Sequence, residues 1–102
     1  MRVLSFIVSG QKIERDPSCD FGGIAPGSRG YLQARFRFSA DWEGCKRVAV
    51  FSHLGREFPA PVVNGVCEIP PEALVGNTVG VSVVGQNGEY RITTNTVAFQ
   101  QR

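Results

Sequence analysis

The stretch YLQARFRFS, residues 31–39, alternates apolar and polar side chains without a break. Leu32, Ala34, Phe36 and Phe38 share one parity, and Tyr31, Gln33, Arg35 and Arg37 the other. A period of two belongs to extended chain, whose successive side chains point to opposite faces, and a helix would scatter these four apolar groups around its axis. The segment therefore reads as a half-buried antiparallel strand, one face on a core and the other in water or against a partner. A lone strand cannot bury a face, so the remainder of the chain has to supply the sheets that cover it.

Short β-forming runs recur on either side. RVLSFIVSG places Leu4, Phe6 and Val8 on one face and Val3, Ser5 and Ile7 on the other; with both faces apolar it reads as a strand covered on two sides, and QKIERD as its continuation or an edge segment. PSCDFGGIAPGSRG has four glycines, two prolines and no periodicity, and is the longest loop, either a crossing connection between sheets or a binding loop. ADWEGC turns the chain into KRVAVFS, with Trp42 plugging one end of the core where its N–H finds an acceptor. In EFPAPVVNGVCEI, Asn64-Gly65 sits between apolar runs and signals a type I′ hairpin, while Pro59 and Pro61 lack amide donors and mark an edge. PPEAL supplies one short helical turn. TVGVSVVG and EYRITT form a second hairpin around Asn87-Gly88.

Seven to nine short strands with no useful helical periodicity predict an all-β fold: an antiparallel β-sandwich of immunoglobulin-like size with one short helical turn, or alternatively a small β-barrel. The expected core includes Leu32, Ala34, Phe36, Phe38, Val48, Val50, Val81 and Val83. With 102 residues and no internal repeat or linker, residues 1–102 read as a single domain. An apolar fraction of 42% suffices for one core and argues against disorder.

Charge and cysteine content bound the function. Eleven basic against nine acidic residues leave a net charge of +2, and the densest basic group is Arg35, Arg37, Lys46 and Arg47. So little excess charge releases few counterions, which disfavours nucleic acid as a partner. No run reaches the roughly 20 apolar residues of a membrane span. MRVLSFIVSG lacks the apolar length and cleavage-like end of a signal peptide, so free thiols in a reducing cytoplasm are expected.

No reaction chemistry stands out. Cys19, Cys45 and Cys67 with the single His53 could compose a Cys₃His zinc set, but no Cys-x-x-Cys pair exists to nucleate one, so no metal is expected. Nucleophilic catalysis needs a base beside the nucleophile, and His53 lies in FSHLGREF, a strand end running into a glycine turn. Asp16, Asp20, Asp41, Glu43 and Glu57 all sit in turn-like contexts, where carboxylates cap or are solvated. DFGG has none of the other kinase motifs around it. The chain reads as a non-enzyme without a cofactor. What remains is surface: Tyr31, Gln33, Arg35 and Arg37 form an interface candidate, since tyrosine and arginine are enriched at contacts, although an ordinary solvated face accounts for the same pattern.

Three pieces carry a resemblance. They are the Trp-x-Gly corner followed by an Ala-x-Phe strand in DWEGCKRVAVF, the CEIPPEAL segment, and the closing ITTN after VSVVG. Together with DPSCDFGG and GSRGYLQARFRFS, they make the chain, nearly end to end, similar to small all-β proteins encoded in the structural (tail and baseplate) gene modules of bacteriophages and Firmicutes prophages. The resemblance implies a phage-derived origin and a tail-, baseplate- or virion-associated role through self-association or contacts with other virion proteins, located in the virion or the bacterial host cytoplasm. It carries no catalytic or ligand residues. A carbohydrate-binding adhesion module, drawing on Trp42, Tyr31 and Tyr90, is one alternative; a phage-encoded inhibitor of a host defence protein is another.

The closing stretch EYRITTNTVAFQQR switches parity: Tyr90, Ile92 and Thr94 share one face, whereas Val97 and Phe99 continue the apolar pattern on the other. Such a switch predicts a bulge or bend at Thr94-Asn95, with TVAFQQ continuing into a sheet edge. An edge free of charge and proline until Arg102 invites pairing with another chain, so residues 96–101, and Val97 and Phe99 in particular, are expected at a subunit contact.

Overall fold

A computed structural model of the chain describes residues 1–101. It is an all-β, sandwich-like fold of two packed sheets. The strands are β1 (Arg2–Ser9), β2 (Lys12–Arg15), β3 (Leu32–Phe38), β4 (Lys46–His53), β5 (Arg56–Val62), β6 (Val66–Glu68), β7 (Thr78–Asn87), β8 (Tyr90–Thr93) and β9 (Val97–Gln100). One sheet runs in the order β2-β1-β3-β6; the other runs β5-β4-β7-β8, with β9 also paired to β7. The PPEAL turn is a 3₁₀ turn at Pro71–Ala73, and a second one at Ala40–Trp42 makes the corner before β4.

Local chemistry accounts for most of the connections. Asn64 and Gly65 both take left-handed φ values, 55° and 77°, as a type I′ turn requires. In the second hairpin Asn87 pairs with Tyr90, so the two-residue turn is Gly88-Glu89 rather than Asn-Gly, and only Gly88 has positive φ. That is the II′ pattern, with glycine first. β5 lies at an edge of its sheet, where Pro59 and Pro61 leave no ladder bond unmade.

Four expectations are corrected. The pairing is not wholly antiparallel: β1 and β3 run parallel, with Leu4 beside Ala34 and Phe6 beside Phe36, because β2 folds back on the opposite side of β1. The long loop joins two strands of the same sheet instead of crossing between sheets. Third, Val48 and Val50 are only half-buried on the outer face of β4; its buried residues are Ala49 and Phe51. Register with β7 decides this, since Ala49 lies opposite Val83 and Phe51 opposite Val81, and paired residues share a face. Val3, Ser5 and Ile7 on β1 are likewise half-buried on an outer face, beside β3 rather than beneath a further layer.

The core between the sheets holds Leu4, Phe6, Ile13, Leu32, Ala34 and Phe36 from one side and Ala49, Phe51, Val79, Val81, Val83 and Phe99 from the other. Phe38 packs at its margin, and Ile24 of the long loop is buried in the same core. Trp42 closes one end: it is fully buried, and its Nε1–H donates to the Gly10 carbonyl at 2.9 Å.

The two sheets are joined along both sides. On one, the Asn64-Gly65 hairpin carries the chain from β5 of one sheet into β6 of the other. On the other, β8 and β9 form one interrupted edge. Thr93 pairs with Val84 and Val97 with Val81, so four steps on this strand span three on β7, which is a one-residue bulge between Thr93 and Val97. The bulge turns Ile92 and Phe99 inward despite their opposite parity, as the closing stretch predicted. It also presents Asn95, whose N–H bonds to the Gln11 carbonyl and whose side chain reaches β2.

Candidate protein-binding surfaces

The outer face of the β2-β1-β3-β6 sheet carries the alternating polar residues of β3 and the residue before it. Tyr31, Arg35 and Arg37 are exposed and Gln33 is half-buried. In register across the sheet, Arg35 lies between Ser5 and Val66, Gln33 between Val3 and Glu68, and Arg37 beside Ile7. These four residues do share one face, mixed with aliphatic groups and at least one carboxylate. The basic group read from the sequence is dispersed: Arg47 turns away from this face, with its guanidinium 4.3 Å from the Phe38 ring centroid and Nη2 donating to the Trp42 carbonyl at 2.7 Å.

The outer face of the second sheet differs in character. Val48, Val50 and Val84 are half-buried there, beside the exposed Pro59 and Pro61, and Gly80 and Ser82 complete its centre without a charge. The sequence does not single out this face, because Val48 and Val50 read as core residues.

Phe99 is not available to a partner. It is fully buried, with its ring centroid 6.5 Å from that of Phe6 and 6.3 Å from that of Phe21. Val97 is half-buried against the same core. The closing strand is thus structural on its inward face, and Gln101 ties it down: its N–H bonds to the Asn77 carbonyl at 2.7 Å and its side-chain amide to the Gly76 carbonyl at 2.8 Å. Arg102, expected to end this edge with a charge, lies outside the described residues.

Beside β9 runs an open groove of about 1070 Å³. Val97, Ala98 and Gln100 form one wall; Arg15, Cys19 and Phe21 are on the other side, where the chain leaves β2. The loop is locally organised. Asp16 accepts from the N–H and hydroxyl of Ser18 at 2.9 and 2.7 Å, which holds its carboxyl below the usual range, and Asp20 accepts from the Gly22 N–H. Arg2 donates to the Asp20 and Gly22 carbonyls, and the Ser5 N–H reaches Cys19 Sγ at 3.4 Å. Phe21 packs edge-on against Phe6, with the Arg15 guanidinium 5.2 Å from its ring centre. The aromatic within this otherwise aperiodic loop was the available sequence signal for a groove here.

His53 ends β4, with Nδ1 3.3 Å from the Thr78 carbonyl and its ring against Gly76. Leu54 and Gly55 follow as the β4–β5 turn, both with positive φ, and Leu54 is 87% exposed at the tip. The cysteines are free and belong to separate elements: Cys19 in the loop, Cys45 beside Gly85 at the Trp42 end, and Cys67 on the inner face of β6. Among the described residues no group of three or more His, Cys, Asp or Glu side chains is placed to hold a metal ion, and no helix is long and apolar enough to cross a membrane.

Burial pushes the Cys67 thiol up from an ordinary 9.0 to about 12. Only thiolate reacts readily, so a disulfide reagent added to the native protein near neutral pH is expected to modify Cys19 and Cys45 first and Cys67 only on unfolding. Titration after denaturation should count three thiols. The raised pKa also has a signed consequence for stability. Above about pH 9 the unfolded chain releases the Cys67 proton while the folded protein keeps it, so this contribution is fully present below pH 9 and declines as pH rises towards 12. Melting curves across that window, compared with Cys67→Ala, isolate it; an identical alkaline decline in the variant would assign the effect elsewhere.

No protein-family model matches this chain, and no curated protein matches it either.

Proposed function

We propose that this protein is a non-enzymatic bacteriophage structural or accessory protein, associated with a tail, baseplate or virion and acting through protein–protein contacts. The carrying observation is the near end-to-end resemblance running through DWEGCKRVAVF, CEIPPEAL and ITTN. The disposition of the polar residues supports a binding role. Asp16 and Asp20 organise their own loop, and Asn95 and Gln101 bond to backbone, so these groups serve the scaffold. The surfaces left for a partner are two sheet faces of different polarity and a groove along a strand edge.

The carbohydrate-module reading is weaker for a specific reason: Trp42, the aromatic best suited to stack on a sugar, is fully buried, leaving Tyr31 and Tyr90 half-exposed. Mass spectrometry of purified virions tests the leading reading, and peptides from this chain are expected at a fixed ratio to the tail proteins. Expression during infection without incorporation into particles would favour the inhibitor reading, which a pull-down from host lysate would then examine.

A further inference from the structure

We propose that the groove between β9 and the β2 end of the long loop receives a single extended segment of another polypeptide, which adds as a strand to the β9 edge. The backbone geometry carries this. Antiparallel ladders alternate between residues whose N–H and C=O face the neighbouring strand and residues whose groups face away. The Gln101 N–H bonds to the Asn77 carbonyl in the β9–β7 register, so Val97 and Phe99 also direct their groups to β7. Ala98 and Gln100 then direct theirs into the groove. On the opposite side, the Asp16 N–H bonds to the Ser5 carbonyl in the β2–β1 register, which turns the groups of Ile13 and Arg15 outward.

One of these outward positions is already filled by a peptide-like group. The Asn95 carboxamide accepts from the Ile13 N–H at 2.8 Å and donates to the Ile13 carbonyl at 3.4 Å, as the backbone of an added strand would. By the same registers Arg15, Ala98 and Gln100, further along the same groove, turn their backbone N–H and C=O away from β1 and β7. Asn95 thus closes one end, and the edges beyond it present donors and acceptors in strand order.

The occupant follows from the walls. The loop stands across the groove from β9, so a chain reaching Ala98 and Gln100 enters as one extended strand. A second copy cannot offer its own β9 edge, because the same loop flanks it. Backbone pairing supplies the contact, and alternate side chains of the incoming strand lie over Phe21, as in other cases of strand addition. The inference deepens the protein-binding reading and rests on it. The two fail separately: absence from virions leaves strand capture testable, and loss of strand capture leaves virion membership standing.

The probe is a displayed library of random peptides of about ten residues, long enough to lie along a strand of ordinary length, selected against the intact protein. The Arg15, Ala98 and Gln100 amides are expected to exchange fast in the free protein and slowly once an enriched peptide is bound. Ala98→Pro and Gln100→Pro each remove one outward N–H that the β7 ladder does not use. Each should weaken binding about tenfold, the loss expected of one missing hydrogen bond, while Arg35→Ala on the far sheet face binds as wild type. Should one proline variant fail to fold, the other and the exchange measurement on wild type still decide. Selection that yields no binders, peptides indifferent to both prolines, or protection confined to an outer sheet face would overturn the proposal.

Discussion

Phe99→Ala is expected to remove about 3–5 kcal/mol of stability, the range for emptying a buried aromatic site. A small domain has only about 5–15 kcal/mol in total, so the variant should melt far below wild type or lack a cooperative transition. The site has little means of collapsing: Phe99 is fully buried, packed against Phe6 and Phe21, and directed inward from a strand paired to β7 from Thr78 to Val81. Deleting residues 97–102 should be worse. It removes both Gln101 hydrogen bonds and strips the β7 edge from Thr78 to Val81, exposing Val79 and Val81. The truncated chain is expected to lose its cooperative melt by circular dichroism. A truncated protein that still melts sharply would show that the closing strand is dispensable to the core, against everything its burial implies.

The second large effect concerns Trp42 and Gly85. Trp42→Ala should cost about 3–5 kcal/mol for the lost aromatic volume, and it also removes the donor to the Gly10 carbonyl. Gly85 faces inward from β7 because the indole occupies the space a side chain would need: a Cβ there would lie 2.6 Å from Trp42 Cζ3 and 2.7 Å from Cε3. Gly85→Ala alone should therefore cost about 1–3 kcal/mol by overpacking. With Trp42 already alanine the clash disappears, so the same substitution should cost little or stabilise by restricting the unfolded chain. Urea denaturation of the four proteins gives the coupling directly, and residues in such contact should couple by about 0.5–3 kcal/mol. Simple additivity would mean that the indole shifts aside without penalty and that Gly85 is retained for some other reason.

Little of the candidate site was legible beforehand. Tyr31, Gln33, Arg35 and Arg37 were assigned to one outer face, and the structure places them there, because strict alternation leaves no other arrangement for that strand. The groove was not legible. Its walls come from residues 15–24 and 97–100, far apart in the chain, and its binding groups are backbone atoms that carry no residue-type signature. Phe99 was read as an interface residue because a strand edge without charge or proline resembles an open one; β7 and the aromatic cluster cover its side chain instead.

By itself, the sequence determined what is local. Period-two alternation made β3 a strand with Leu32, Ala34 and Phe36 inward; Asn64-Gly65 set a tight turn, since both positions require positive φ; two prolines kept β5 at an edge; and the parity switch after Ile92 demanded an extra residue in the strand. Only the tertiary structure decided which of two equivalent local solutions is used. In KRVAVFS both parities are apolar, so burial of Ala49 and Phe51 over Val48 and Val50 waited on pairing with Val83 and Val81. The parallel partnership of β1 with β3 likewise has no local cause, because alternation states which face is buried but not which strand lies alongside. Gln101 is buried for the same kind of reason: its side-chain N–H donor is met inside by the Gly76 carbonyl, 25 residues away in the chain, although its Oε1 has no partner among the described residues.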